Sequence, residues 1–291
     1  MQRYVVVDVF TETPLEGNPL AVFSRADGLP IDRMQRVAAE MNLSETVFVL
    51  PPEQGGDARI RIFTPAVELP FAGHPTLGAA FALCQQRGLD TITLETGVGL
   101  VQVDFVGAGP HGAGPHGAGS HGPGLPGWMR QPVPGWEPYD RGGELLAALG
   151  VDSSRLPVET YSNGPRHVYV ALDDEEAVRQ LRPDLNALLG LLPRMGVSCF
   201  AGAGARWKSR CFLPSLGVNE DPATGSAAGP LAVHLARHGW TGFGQQIEIR
   251  QGEEIGRPSI LYARVEGDAD KVTEVAVGGS AVVVARGEFL A

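Results

Sequence analysis

The sequence predicts an α/β (α+β) fold in two pseudo-symmetric halves, each a curved mixed sheet wrapped round a central buried helix. Three observations predict it. Short strands with alternating apolar residues outnumber the helices, one strand–loop–helix motif occurs twice, and the helix that follows each copy of the motif carries no charged residue. A length of 291 residues lies near the upper size of a single core, so two halves of ordinary size are reasonable.

In the first half, alternation predicts strands and a period of 3.6 residues predicts helices. The predicted strands cover residues 4–10, 20–23, 46–50, 59–63, 91–96 and 100–105. The predicted helices cover residues 31–41 and 75–86.

The same patterns resume after residue 128. The predicted strands cover residues 166–172, 207–213, 246–251, 259–265, 272–277 and 281–285. Helices are predicted at 143–149 and 224–238, with helical turns from 174 to 192.

Between the halves, residues 107–127 form a repeat of glycine, proline and histidine. Such a composition buries too little apolar surface to offset its ordering entropy, which predicts a linker or loop. The segment contains three Gly-x-Gly-x-x-Gly patterns, but proline and glycine fill the place of the helix that a dinucleotide site needs. His111, His116 and His121 follow a five-residue step that fixes no metal geometry.

The internal repeat is visible as Arg-x-Phe-x-Pro at residues 61–65 and again at 210–214, 149 residues later. Residues 73–76 and 221–224, each ending in threonine, then lead into a helix rich in small residues. Strand, loop and helix recur in the same order, which predicts a duplication.

The two helices, at residues 76–84 and 224–235, contain no Asp, Glu, Lys or Arg. A helix that is apolar all round is buried on every side, and small residues let strands approach it closely. We expect each helix to thread a curved sheet, with its first residue opening where the halves could face each other.

Each of these helix starts presents backbone N–H groups that suit a carboxylate or an enolate oxygen. The alternative is ordinary capping by Thr76, Thr224 or Asp221.

Three side chains near these starts are candidates for acid–base chemistry. Glu45 is the lone charge at the head of an apolar strand, where burial would favour a proton carrier; the alternative is an exposed strand end. His74 could carry a second proton, orient a substrate group or make a structural hydrogen bond. Asp221 is either a cap or a second carboxylate.

Other residues point away from particular functions. His167, His234 and His238 show no partner spacing and are expected to be structural or exposed. Lys and Arg number 23 against 33 Asp and Glu, a net charge of −10, which disfavours binding to nucleic acid or anionic membranes. Apolar runs fall short of the ~18–20 residues that a membrane span needs. We expect a cytoplasmic protein.

The cysteines Cys84, Cys199 and Cys211 are too few and scattered for a disulfide framework or a structural zinc site. None lies at a helix start, where a thiolate would be stabilised, so two-thiol chemistry is disfavoured.

As a set, the motifs resemble the phenazine-biosynthesis PhzF-like isomerase family, in order along nearly the whole chain apart from the Gly/His insert. The motifs that carry the resemblance are residues 7–11, 17–22, 42–46, 68–76, 220–227, 251–259 and 278–280. The resemblance implies a diaminopimelate epimerase-like fold in which the last strand returns to the first half. The implied domains are an N-terminal half of residues 1–106 plus about 278–291, a linker at 107–127, and a C-terminal half at 128–277.

The resemblance also implies a homodimeric isomerase that needs no cofactor and no metal. In this reading Glu45 moves a proton between carbons of a small cyclic hydroxy-amino acid carboxylate, such as trans-2,3-dihydro-3-hydroxyanthranilate. His74 and Asp221 would position the substrate or assist protonation. The residues implied to hold its polar groups are Ser44, Gly73, Gly225 and Ser226. Two alternatives stay open: an amino-acid epimerase or racemase with a proton carrier on each face, and a noncatalytic carboxylate-binding protein.

Overall fold

A computed structural model describes residues 1–105 and 126–290, and the chain divides into two compact units. Unit 1 comprises Met1–Arg130 with Val277–Ala291, and unit 2 comprises Gln131–Ala276. Most of the expected linker, with its three histidines and its glycine patterns, lies outside the described residues. The predicted domain boundaries therefore stay a prediction.

The described chain contains eighteen strands and six α-helices. The strands are β1 (Gln2–Val9), β2 (Asn18–Phe23), β3 (Glu45–Leu50), β4 (Ala58–Phe63), β5 (Glu68–Leu69), β6 (Thr91–Thr96), β7 (Gly99–Asp104), β8 (Gly127–Gln131), β9 (Gly135–Pro138), β10 (Glu159–Ser162), β11 (Arg166–Ala171), β12 (Gly196–Ala203), β13 (Arg206–Leu213), β14 (Val218–Asp221), β15 (Ile247–Gln251), β16 (Ser259–Gly267), β17 (Val272–Gly279) and β18 (Ala281–Phe289). The helices are α1 (Ile31–Met41), α2 (Gly73–Arg87), α3 (Gly142–Leu149), α4 (Glu175–Gln180), α5 (Leu185–Leu191) and α6 (Gly225–Arg237).

The strands of the two units pair in the same order. In unit 1 the order is β18-β1-β2-β3-β4-β6-β7-β8, with β2/β3 and β4/β6 parallel and the other neighbours antiparallel. In unit 2 the order is β9-β10-β11-β12-β13-β15-β16, with β11/β12 and β13/β15 parallel. The first seven strands of the unit 1 order repeat the succession of parallel and antiparallel pairs of unit 2, which confirms the two pseudo-symmetric halves.

The two uncharged helices are buried as predicted. Every residue of α6 from Gly225 to Ala236 is buried, as are the first eight residues of α2. A Cβ atom added at Gly78 of α2 would lie 2.7 Å from side-chain carbons of both Val9 and Leu20. Glycine at this position therefore lets the helix approach β1 and β2 closely.

A second apolar layer lies against each sheet. In unit 1 the amphipathic helix α1 packs Met34, Val37 and Ala38 against a stack that includes Phe23 and Phe48. In unit 2 helices α3, α4 and α5 contribute to an equivalent cluster with β11 and β12. The helical turns predicted from 174 to 192 are two short helices, interrupted where Pro183 cannot supply a helical N–H.

The repeated motif folds in the same way in both units. The guanidinium of Arg61 bonds both carboxylate oxygens of Glu68 at 2.7 and 2.6 Å, and that of Arg210 bonds Glu220 at 2.8 and 2.7 Å. Each glutamate lies on the short strand, β5 or β14, that follows the arginine's strand. This shared pair supports the predicted duplication.

The repeated motif in the sequence pairs Thr76 with Thr224, but the structure shows that this pairing is wrong. Thr76 is the fourth residue of α2, whereas Thr224 precedes the first residue of α6. The helices begin at Gly73 and Gly225, 152 residues apart, whereas the two threonines are 148 residues apart. The difference arises because a 3₁₀ turn and a longer β14 lengthen the second connection.

No helix in residues 1–105 or 126–290 is long and apolar enough to cross a bilayer.

Candidate active site

The start of β3 and the start of α2 bring two predicted residues of unit 1 together. Glu45 is the first residue of β3 and its side chain is 13% exposed, whereas His74 is the second residue of α2 and is 3% exposed. His74 Nε2 lies 3.3 Å from Glu45 Oε2. The carboxylate thus lies at the edge of a buried region with an imidazole beside it.

A third residue determines which form of the imidazole faces Glu45. The side-chain amide of Asn18, at the start of β2, lies 3.2 Å from His74 Nδ1. Because an amide nitrogen donates, Nδ1 accepts, and the ring proton belongs on Nε2, toward the carboxylate. Burial lowers the pKa of His74 to about 3, so the ring is neutral near pH 7. His74 can therefore donate a neutral N–H to Glu45, but it is not a cationic acid.

The other predicted residues of unit 1 adjoin this pair in the chain. Ser44 is half-buried directly before β3, and Gly73 is the first, buried residue of α2. The expected alternative of a threonine cap is not what is found at α2. Ala72 precedes the helix without a side-chain cap, and Thr76 instead donates to the Ala72 carbonyl at 2.8 Å.

In unit 2 the predicted residues gather where β14 leads into α6. The Thr224 hydroxyl donates to Asp221 Oδ2 at 2.6 Å. The Gln251 amide nitrogen donates to the Asp221 carbonyl at 2.8 Å and to Thr224 Oγ1 at 2.9 Å. Its oxygen accepts from the Thr224 N–H at 3.2 Å. Gln251 therefore anchors the loop that holds the Asp221 carboxyl group.

The first two residues of α6, Gly225 and Ser226, are held through their carbonyls. Gln131 donates to the Gly225 carbonyl at 2.9 Å, and Asn163 donates to the Ser226 carbonyl at 3.1 Å. The Ser226 hydroxyl lies 3.2 Å from His167 Nε2. The predicted residues thus form two clusters, one in each unit.

Sequence reasoning assigned no role to Asn18, Gln251, Asn163 or Gln131, although Asn18 and Gln251 lie within the quoted motifs. His167 was expected to be structural or exposed, and it is buried beside Ser226. A signal for it existed, since His167 is a titratable residue inside the apolar run of β11.

One group among the described residues has the side-chain types of a metal site: Glu159 with His234 and His238. Both imidazoles lie 3.2 Å from Glu159 Oε2. However, the Arg237 guanidinium donates to the same oxygen at 2.9 Å and also bonds the Tyr161 hydroxyl. The guanidinium cation of Arg237 therefore already occupies the carboxylate oxygen that a metal ion would use.

A second feature of this group argues against a metal. His234 Nε2 is buried with no hydrogen-bond partner in the described chain, whereas a metal-bound histidine almost always donates its second N–H. The residues do not fit a metal ion. Although burial opposes it, the hydrogen bonds from His234, His238 and Arg237 hold the pKa of Glu159 well below its usual range. The group is a buried ion network.

The cysteines do not suit nucleophilic or acid–base chemistry. All three are free and buried. Burial raises the pKa of Cys84 and of Cys199 to about 12, and it also raises the pKa of Cys211. Each is therefore a thiol rather than a thiolate near pH 7.

Comparison with known proteins places the chain in one family. The sequence model of the family described as "Phenazine biosynthesis-like protein" matches residues 7–287. The trans-2,3-dihydro-3-hydroxyanthranilate isomerase of Pseudomonas aeruginosa is 53% identical over 287 residues, which are 99% of each chain.

Solved structures of other proteins support the same family and fold. A Bacillus anthracis phenazine biosynthesis protein of the PhzF family matches with a TM-score of 0.83 at 26% identity, over 100% of this chain and 99% of the other. A "predicted epimerase" from P. aeruginosa matches with a TM-score of 0.81 at 33% identity, over all of both chains. These likenesses confirm the predicted fold class and the predicted resemblance. The chain belongs to the phenazine biosynthesis-like protein family, and it is an isomerase.

Proposed function

We propose that this protein isomerises trans-2,3-dihydro-3-hydroxyanthranilate, or a closely similar cyclic hydroxy-amino acid, by moving a proton between ring carbons without a cofactor. The observation that carries the proposal is the pair formed by Glu45 and His74, in a chain 53% identical over its length to a relative named for that reaction. The pair offers one carboxylate, at the edge of the buried interior, with the Nε2 atom of a neutral imidazole 3.3 Å from it.

In the proposed reaction the Glu45 carboxylate takes the proton from C3 of the ring. The electrons of the broken C–H bond move into the adjacent double-bond system, and the same carboxyl group, whose proton can exchange with solvent, delivers a proton to another ring carbon. Substrate and product are therefore isomers, and Glu45 ends in its starting state. A positioned acid–base group contributes about 10²–10⁴-fold, so orientation and electrostatics must supply the rest.

His74 has a positioning role in this scheme. Its Nε2–H lies 3.3 Å from one oxygen of Glu45 and is proposed to donate to that oxygen during the reaction. Its low pKa keeps the ring neutral, so it does not compete as an acid. Asp221, Gly225 and Ser226, with Ser44 and Gly73, are proposed to contact the polar groups of the substrate. A homodimer in the cytoplasm belongs to the same proposal and rests on the family resemblance and the composition.

The test is proton NMR of the purified protein in D₂O with trans-2,3-dihydro-3-hydroxyanthranilate, for the wild type and for Glu45→Gln. We expect the wild type to migrate the double bond with uptake of deuterium, and Glu45→Gln to do neither. Glu288→Gln is the matched control, because that glutamate forms an exposed ion pair with Arg3, and such pairs contribute little.

Two results would replace the proposal. Exchange of hydrogen for deuterium at an amino-acid α-carbon, with inversion of that carbon, would establish the epimerase hypothesis, which the comparisons do not favour. Unchanged turnover in Glu45→Gln would remove Glu45 as the proton carrier.

A further inference from the structure

His167 and Ser226 form a buried pair that the chemistry described for Glu45 does not use. His167 lies on β11 and is 1% exposed, and Ser226 is the second residue of α6 and is 6% exposed. His167 Nε2 lies 3.2 Å from Ser226 Oγ. Burial lowers the pKa of His167 to about 4, so the ring is neutral near pH 7 and carries one N–H.

The surroundings of the other ring nitrogen indicate where that proton lies. His167 Nδ1 is buried with no hydrogen-bond partner in the described chain. It faces Gly196, where an added Cβ atom would come within 2.9 Å of it. A buried N–H without an acceptor is rarer than a buried acceptor without a donor. The proton therefore belongs on Nε2, and the ring donates to the serine oxygen.

This assignment decides what the serine can do. A hydroxyl group has one proton and two acceptor sites, and here one acceptor site is filled by the histidine. The Ser226 proton is then left to donate elsewhere, and the incoming hydrogen bond makes it a stronger donor. A hydroxyl fixed in this way suits an anionic acceptor, because hydrogen bonds to charged groups are the stronger ones.

We propose that His167 is a positioning residue that directs the hydroxyl proton of Ser226 toward the carboxylate group of the substrate, so that the protein selects a carboxylate over a neutral group at that place. This inference rests on the proposed function, in which Ser226 binds substrate. Gly196 takes part indirectly, since a side chain there would clash with His167 Nδ1 and displace the imidazole.

The experiment measures binding of two probes, anthranilate and its neutral analogue anthranilamide, by isothermal titration calorimetry. The proteins are the full-length wild type, His167→Leu, His167→Gln, Ser226→Ala and the double variant Ser226→Ala/His167→Leu. We expect His167→Leu to weaken anthranilate about three- to tenfold, the value of one modest hydrogen bond, and to change anthranilamide less than twofold. His167→Gln keeps a donor near the Nε2 position and should restore part of the loss.

Two further readouts separate positioning from mere packing. In ¹⁵N-histidine NMR of the wild type, His167 should show a protonated Nε2 and a bare Nδ1. In the Ser226→Ala background, His167→Leu should cost no further anthranilate affinity, because the two residues act as one unit.

Several outcomes would overturn the proposal: a proton on Nδ1, equal weakening of both probes, additive losses in the double variant, or no binding of anthranilate to the wild type. Failure of the proposed function itself is distinguishable, since it would appear as unchanged turnover in Glu45→Gln with the His167–Ser226 coupling intact.

Discussion

The two units place different chemistry at the same position of the same sheet. In unit 1, Glu45 begins β3 and lies opposite Leu20 of the parallel strand β2. In unit 2 the corresponding strand begins at Gly196, which lies opposite His167 of β11. The registers agree, because the next residue of each strand faces the phenylalanine of the repeated motif, Phe63 or Phe212.

The second residue of the central helix differs as well: it is His74 in α2 and Ser226 in α6. At these two positions unit 1 therefore has a carboxylate with an imidazole 3.3 Å away, whereas unit 2 has a hydroxyl group with an imidazole 3.2 Å away. The two halves therefore share a backbone but differ in side chains, which fits the proposal that Glu45 carries the proton and Ser226 binds the substrate.

The largest effect should come from the unit 1 carboxylate. Glu45→Gln keeps the shape of the side chain and removes the proposed proton carrier, so kcat should fall by about 10²–10⁴ while the Kd of anthranilate changes less than threefold. Initial rates and calorimetry check this. Equal losses in rate and affinity would mean that Glu45 binds substrate rather than moving its proton.

The next largest effect should be on the free energy of unfolding, where the two arginines of the repeated motif, Arg61 and Arg210, can be compared. The Arg210 and Glu220 side chains are 6% and 12% exposed, whereas those of Arg61 and Glu68 are 23% and 38% exposed. Arg210→Met leaves a buried carboxylate without its cation and should cost about 3–5 kcal/mol. Arg61→Met should cost at most about 1 kcal/mol. Urea unfolding measures both, and equal costs would remove the distinction between the two pairs.

The buried histidines should make stability depend on pH in the acid range. The pKa of His74 is lowered to about 3 and that of His167 to about 4, from an ordinary value of about 6.5. Between pH 6.5 and 4 the unfolded chain binds protons that the folded chain does not, so these groups make stability fall as the pH falls. His167→Leu should reduce the slope by about one proton, or about 1.4 kcal/mol per pH unit. An unchanged slope in urea unfolding at several pH values would contradict this.

The smallest effect should come from Asn18. Asn18→Leu removes the donor to His74 Nδ1 and should lower kcat about three- to tenfold with little change in KM. Asn18→Asp instead places a carboxylate at Nδ1, which favours a doubly protonated ring. Its ¹⁵N spectrum at pH 7 should show both nitrogens of His74 protonated, whereas the wild type should show one.

The sequence predicted the fold better than it predicted the contacts. The uncharged helices and the repeated Arg-x-Phe-x-Pro motif were sufficient for the two halves. β12 was missed because it is buried on both faces over its first six residues and shows no alternation. β9, β10 and β14 have only four residues each, too few for a periodic signal.

The sequence predicted which individual residues belong to the candidate site, but not which of them contact each other. Glu45 and His74 stand out because each is a polar residue at the start of an apolar element. That Asn18 meets His74, or that His167 meets Ser226, depends on strand register and on glycine at residue 196, which no local pattern contains. The shift between the two helix starts likewise arises in a loop whose length carries no signal of its own.

The pairing of β1 with β18 has a consequence for how the protein is made. β1 is translated before every other described strand, but its neighbour along residues 281–289 is translated after all of them. All strands of unit 2 up to β16 are translated before that neighbour exists, so unit 1 starts before unit 2 and is completed after it. A chain that stops before β18 would leave β1 with an open hydrogen-bonding edge, the kind of surface on which nascent chains aggregate.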